Sequence, residues 1–188
     1  MFMSNVEIDQ IRPLSRDEYY QMFDAGIIEG ERVELLRGLV VTMSPQSSRH
    51  MNAVVRMTRA LILRLGDRAD VRPQGPIAVS EHSEPEPDIA VTPHNDDPDA
   101  EHPSTALLVI EVSVSSLRKD TQVKPAIYAE AGVDEYWVVD LENDRVLVYA
   151  EPVDGRYRSE RVATVDERLA VPGYPDVSLA VTEILPTR

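Results

Sequence analysis

Two acids and one amine stand where neighbouring elements of the chain can bring them together. Asp88 begins the apolar run of residues 87–91, and Glu111 is the one acid within the most apolar run, residues 106–113. Lys124 follows in the segment expected to form the next helix. Hard cations such as Mg²⁺ prefer oxygen ligands, and a bound metal can activate a water molecule. This set therefore suits a hard metal ion and an activated water.

The use of lysine also points to this part of the chain. Lys119 and Lys124 are the two lysines, against seventeen arginines, and both follow Glu111 closely. A lysine ammonium can lose its proton or orient a water molecule, which a guanidinium does poorly. An ammonium near Glu111 therefore favours a chemical role, which we assign to Lys124 and not to Lys119, because Lys119 precedes the expected cap of the next helix.

Each of these residues also has an ordinary structural explanation. Asp88 could simply begin a strand or turn, and Lys124 could be a solvated helix residue. A lone acid is costly to bury without a partner. Glu111 could therefore be satisfied by a metal, or by an ion pair with Lys124 or an arginine, and both explanations remain open at this stage.

Length and composition indicate one domain over residues 1–188, because the chain has 188 residues of which 43% are hydrophobic. The absence of cysteine excludes disulfides, zinc–thiolate sites and cysteine nucleophiles. The first residues lack a basic region followed by an apolar one, and no segment approaches the roughly 18 apolar residues of a membrane span. We expect a soluble cytoplasmic protein.

The net charge of −14 is unusual for a protein that binds a polyanion, but the charge is segregated along the chain. Six arginines and two acids lie within residues 49–72, a local charge of +4. Arg49, Arg56 and Arg59 fall on one side of a predicted helix, opposite its apolar face. They predict a local basic surface, although such a stripe is often merely solvated.

The pattern of the chain predicts a mixed α/β arrangement. Ser15 and Glu18 form a capping box that begins a helix, and a second helix should end near Gly66. A third helix is expected from a cap at Asp120 or Thr121 to Ala131. Predicted strands lie on both sides of the turn at residues 37–38 and over residues 71–79, 87–91, 106–113, 135–140, 145–150, 156–164 and 177–181.

Several short motifs, taken in order, resemble the Uma-type family of restriction endonucleases within the PD-(D/E)XK nuclease superfamily. The resemblance covers roughly residues 31–149, with a core at about 31–150. It rests on residues 33–38, 43–45, His50, 87–88, 110–113, 115–116, Asp120, Lys124, 128–129, 131–133 and 135–140.

The resemblance implies a restriction-endonuclease-like α/β fold with a mixed central sheet flanked by helices. It implies that Asp88, Glu111 and the carbonyl of Val112 hold Mg²⁺ or Mn²⁺. Lys124 would orient or deprotonate the attacking water, because Ser113 occupies the usual position of the superfamily's lysine. A cation at a helix N-terminus should have a lowered pKa. Glu34 matches a further acid of the core, which would support the metal ligands or bind a second metal, although Glu34 could instead be an exposed strand acid.

The function implied by the resemblance is metal-dependent hydrolysis of DNA, with a homodimer as the expected assembly. Substrate contacts are assigned to His50, Arg49, Arg56 and Arg59, although His50 could instead serve the start of its helix. The alternative is a catalytically inactive module that keeps the fold for binding or regulation. A third interpretation retains metal binding without cleavage.

Overall fold

The fold is described by a computed structural model that covers residues 11–185. Its helices are α1 (Arg16–Asp24), α2 (Ser48–Leu65), α3 (Leu117–Gln122), α4 (Lys124–Glu130) and α5 (Val181–Ile184), with a 3-10 turn at Gly66–Arg68. Its strands are β1 (Val33–Leu36), β2 (Leu39–Thr42), β3 (Ala69–Pro73), β4 (Ile89–Pro93), β5 (Leu108–Ser113), β6 (Glu135–Asp140), β7 (Arg145–Val153), β8 (Arg156–Ala163), β9 (Arg168–Val171) and β10 (Tyr174–Ala180).

A mixed sheet of six strands, in the order β3-β4-β5-β6-β7-β8, forms the centre of the molecule. β5 and β6 are parallel, and the other neighbouring strands are antiparallel. α3 and α4 lie in the connection between β5 and β6, as a parallel pair requires. β1 pairs with β2, and β9 pairs with β10, each outside this sheet. The predicted mixed sheet flanked by helices is confirmed.

The two faces of the central sheet are covered by different elements. Ile110 packs in one apolar cluster with Leu61 of α2, whereas Val109 packs in another cluster with Tyr128 of α4. Successive residues of a strand point to opposite faces. Glu111 therefore lies on the same face as Val109, under α4.

α2 carries His50 to the edge of the sheet because of where the helix begins. The Ser47 hydroxyl accepts a hydrogen bond from the backbone N–H of His50, which caps the helix as serine commonly does. Ala53, Met57 and Leu61 recur at helical spacing and are buried against the sheet. The N-terminal turn of α2 is thereby fixed beside the start of β4.

The predicted third helix is wrong in its start and its continuity. The helix begins at Leu117, so that Asp120 lies inside α3 with its side chain buried. The chain then breaks at Val123 before α4, which contains Pro125 in its first turn. Proline lacks an N–H and restricts the residue before it, which explains the break.

The remaining differences concern strands with weak local signals. The strand predicted over residues 71–79 ends at Pro73, and residues 74–79 form a turn and connection. β9 and α5 were not predicted, because each has only four residues. The other predicted helices and strands are confirmed with shifted ends. Within residues 11–185, no helix combines the length and apolar character needed to cross a membrane.

Candidate active site

A polar cleft opens between the β1–β2 hairpin, the start of α2 and the α3–α4 segment. The volume open to water-sized molecules is about 70 Å³, and one water needs roughly 10–15 Å³ on this measure. The cleft can therefore hold an ion with several waters. Among the residues that line it are the predicted site residues Glu34, His50, Asp88, Glu111, Val112 and Lys124.

Asp88 directly precedes β4, and Glu111 lies in β5 just beyond the residues that pair with β4. β4 and β5 are antiparallel, with Ala90 opposite Val109 and Ile89 opposite Ile110. If this register continued by one residue, Asp88 would stand opposite Glu111. Both side chains line the cleft, and burial and the negative charge of Asp88 both raise the pKa of Glu111. The two carboxyl groups therefore belong to the same site.

Asp88 is held by two donors on the same oxygen. Its Oδ2 accepts a hydrogen bond from the backbone N–H of Val112 at 2.7 Å and lies 3.0 Å from His50 Nε2. His50 Nδ1 is buried and has no partner within residues 11–185, so we place the ring hydrogen on Nε2. Asp88 Oδ1 accepts no hydrogen bond from the described residues, and the side chain borders the cleft.

Glu111 is held in the same one-sided way. Its Oε1 lies 2.6 Å from Lys124 Nζ and 3.0 Å from the Tyr128 hydroxyl, which donates to it. Oε2 accepts no hydrogen bond from residues 11–185. The ion pair considered as an alternative explanation of Glu111 is therefore present, but it occupies only one of the two oxygens. Tyr128 is both buried in the core and a partner of Glu111.

Glu34 connects both lysines of the chain. Its Oε1 lies 2.6 Å from Lys119 Nζ, and its Oε2 lies 3.0 Å from Lys124 Nζ. The Glu34 side chain is fully buried, and the Lys124 side chain is almost fully buried. The Lys119 side chain, in contrast, is 22% exposed. Lys119 was predicted to do no chemistry, and the structure brings its side chain to the lining of the cleft. A local sequence pattern could not have predicted this contact, because Glu34 and Lys119 are far apart in the chain.

The lowered pKa predicted for Lys124 is wrong. Burial alone lowers the pKa of Lys124, but the carboxylates of Glu111 and Glu34 outweigh burial and raise it above the usual value. Burial raises the pKa of Glu111, and Lys124 opposes this only in part. For Glu34, burial raises the pKa, but Lys124 and Lys119 outweigh it and lower the pKa. The two carboxylates therefore favour the charged form of Lys124.

Acidic groups outnumber basic ones around the cleft. Asp120 was predicted only as a helix cap, yet it is buried at the cleft and burial raises its pKa. With every group ionised and histidine neutral, the lining has five carboxylates against three cations: Glu34, Glu86, Asp88, Glu111 and Asp120 against Arg32, Lys119 and Lys124. The lining is therefore rich in carboxyl groups, and burial raises the pKa of three of them, Glu86, Glu111 and Asp120.

These residues fit a hard divalent cation, although the protein supplies few ligands. Within the described residues, no group of three or more His, Asp or Glu side chains is arranged to hold a metal ion. Mg²⁺ commonly binds through one or two carboxylates and keeps several waters. Asp88 Oδ1 and Glu111 Oε2 suit that mode, because neither has a hydrogen-bond donor in the described chain.

The arginine stripe predicted on α2 does not reach this cleft. Arg49 pairs with Asp144 at 3.0 Å, and Arg56 donates to the carbonyl of Ile184. Arg59 borders a separate apolar groove along α2. Acids distant in the sequence also pair with two further arginines of residues 49–72. The predicted basic surface is thus largely offset, and substrate contact by the three arginines stays a prediction.

The mixed sheet and the carboxylate–lysine cleft define a protein with a nuclease-like fold. The chain belongs to the Uma2 family, described as "Putative restriction endonuclease", whose family model matches residues 16–182. It is similar in fold to a solved structure, a putative nuclease belonging to DUF820 from Anabaena variabilis, with a TM-score of 0.74 and 16% identity. The match covers 92% of this chain and 97% of the other. No curated protein matches the chain.

Proposed function

We propose that the protein is a nuclease that hydrolyses DNA phosphodiester bonds with a bound Mg²⁺ or Mn²⁺. The observation that carries the proposal is the single cleft that Asp88, Glu111 and Lys124 line together, at the end of the paired segment of β4 and β5. Membership of a family described as restriction endonucleases supports the choice of substrate class.

The proposed ligands are Asp88 Oδ1, Glu111 Oε2 and the carbonyl of Val112. When bound, the metal would acidify a water molecule and offset charge on the phosphate. His50 and the Val112 N–H both hold Asp88 Oδ2, so that Oδ1 would be available to the ion. In this proposal His50 is a positioning residue for Asp88 rather than a contact to substrate.

Lys124 would work as a fixed positive charge. Glu34 and Glu111 hold its ammonium from two sides, at 3.0 Å and 2.6 Å. A cation fixed in this way needs no rearrangement when charge develops on the phosphate. Its remaining N–H can orient the attacking water. Glu34 therefore positions Lys124 in this proposal and does not bind the metal.

The proposal includes a homodimer, because two active sites can cut both strands of a duplex in one binding event. A twofold dimer would present two equivalent clefts to the two strands. Sedimentation of the purified protein, alone and with a duplex, measures this part of the proposal separately from cleavage.

The proposed function is tested by incubating the purified protein with supercoiled plasmid DNA and, in parallel, with RNA. We expect nicked or linear DNA with Mg²⁺ or Mn²⁺ and no product with EDTA. Folded protein that binds DNA but cleaves neither polymer with any divalent metal would instead favour the non-catalytic binding module. Cleavage that continues in EDTA would remove the metal from the proposal.

Replacement of His50 tests whether this residue positions Asp88. Loss of an outer partner of a metal ligand typically lowers metal affinity or activity about 10- to 100-fold, so His50→Leu should weaken Mn²⁺ binding to that extent. His50→Gln keeps an N–H donor and should recover much of the affinity. Calorimetric titration measures both variants. Equal weakness of the glutamine and leucine variants, with both folded, would show that hydrogen bonding to Asp88 is not the role of His50.

A further inference from the structure

Two of the three cations that line the cleft are open to solvent. Lys124 is buried, with its side chain only 2% exposed. The Lys119 side chain is 22% exposed, and Arg32 is an exposed residue at the start of the β1–β2 hairpin. Arg32 and Lys119 are therefore the two cations of the cleft that a polyanion in solvent can contact.

The backbone directs these two side chains toward the same place. The backbone N–H of Met43 donates to the carbonyl of Arg32 at 2.8 Å, which continues the pairing of β1 with β2 by one residue. Residues two apart in a strand point to the same face, so Arg32 shares the face of Glu34. Lys119 reaches that carboxylate at 2.6 Å from α3. The two cations thus border the cleft beside Glu34.

Both groups keep hydrogen-bond donors for a ligand. The Arg32 side chain makes no hydrogen bond or ion pair within residues 11–185. Burial and the negative charge of Glu34 raise the pKa of Glu86, and the positive charge of Arg32 opposes this rise. Lys119 uses one of its three N–H groups on Glu34. A guanidinium fork and an ammonium are the usual partners of phosphate oxygens.

We infer that Arg32 and Lys119 bind the phosphate backbone of the substrate at the mouth of the cleft, an inference that rests on the proposed function. The backbone would enter over the β1–β2 hairpin and α3 and not along α2. This site replaces the arginine stripe of α2, whose members are paired elsewhere or border an apolar groove.

The test uses matched substitutions of exposed cations. Arg32→Gln removes an unpaired cation at the cleft, and Arg59→Gln removes an exposed arginine on α2 that likewise makes no hydrogen bond or ion pair within residues 11–185. Lys119→Gln is compared with Arg118→Gln, since Arg118 is its exposed neighbour on α3. Binding of a labelled 20-base-pair duplex is followed by fluorescence anisotropy in Ca²⁺, over a range of salt concentrations. A gel then shows whether the duplex is still intact.

Each phosphate contact contributes about 0.9 to the slope of log affinity against log salt for duplex DNA. We expect Arg32→Gln and Lys119→Gln each to lower that slope by about 0.9, and the two control variants to retain the wild-type slope. Loss of slope in Arg59→Gln with no change in Arg32→Gln would overturn the inference. If the wild type binds and all four variants match it, the inference fails while the proposed function stands. If the wild type neither binds nor cleaves nucleic acid, both fail.

Discussion

Replacement of Lys124 by methionine is expected to lower metal-dependent DNA cleavage about 100- to 1,000-fold, the usual effect of removing one fixed group that stabilises developing charge. Lys124 Nζ lies between Glu34 and Glu111, and no other described cation contacts Glu111. Single-turnover cleavage of a labelled duplex measures the chemical step directly. The loss should therefore appear in the rate at saturating protein and not in the affinity for DNA.

Lys119→Met is the matched control for this substitution. It removes the second ammonium beside Glu34, yet leaves the contact of Lys124 with Glu111 in place. We expect weaker DNA binding with a nearly unchanged rate at saturation. Loss of one partner of a buried ion pair typically costs about 3–5 kcal/mol, so melting curves must show that Lys124→Met is folded at the assay temperature. A folded Lys124→Met variant with wild-type single-turnover rate would contradict the role of the ammonium.

Asp88→Asn and Glu111→Gln are expected to abolish both cleavage and stabilisation by metal. A ligand at a hundred times its dissociation constant stabilises the folded state by about 2.7 kcal/mol, and the wild type should gain about this much from Mn²⁺. The two variants should gain far less, because each removes a charged ligand oxygen. Denaturant unfolding with and without Mn²⁺ measures the difference.

Asp176→Asn is the control for these two variants, because Asp176 is exposed and pairs with Arg68 far from the cleft. It should keep the full response to Mn²⁺. A response to Mn²⁺ that is equal in all four proteins would place the bound ions outside the cleft.

The fold was predictable to the extent that local patterns determine it. The capping box at Ser15, the apolar periodicity of α2 and the apolar run of β5 identified their elements correctly. The segment after β5 was harder, because Pro125 both permits a helix start and ends the helix before it. β9 has only four residues, and its place beside β10 depends on pairing that no local pattern reveals.

The candidate site was predictable for residues that stand at strand ends or in a family motif. Asp88, Glu111 and Lys124 belong to this group, and the structure lines one cleft with all three. Lys119 and Arg32 were missed because their position depends on how α3 and the β1–β2 hairpin pack together. The pKa of Lys124 was also misjudged, since a helix terminus is a weaker influence than carboxylates at 2.6 Å and 3.0 Å.

The charge pattern of residues 49–72 predicted a basic surface that the fold largely offsets, for a related reason. A count over residues 49–72 treats the segment as if it stood alone. In the fold, Arg49, Arg64 and Arg68 pair with Asp144, Glu183 and Asp176, which are about a hundred residues away in the chain. Local charge predicts a surface only where the partners are also local.

Anomalous scattering from crystals grown with Mn²⁺ tests the central claim most directly, because it locates the ion without reliance on activity. The account predicts one Mn²⁺ in contact with Asp88 Oδ1 and Glu111 Oε2, at about 2.0–2.2 Å as for other oxygen ligands of small divalent cations. An ordered Mn²⁺ elsewhere in the molecule with none between Asp88 and Glu111, or no ordered Mn²⁺ at concentrations that support cleavage, would contradict it.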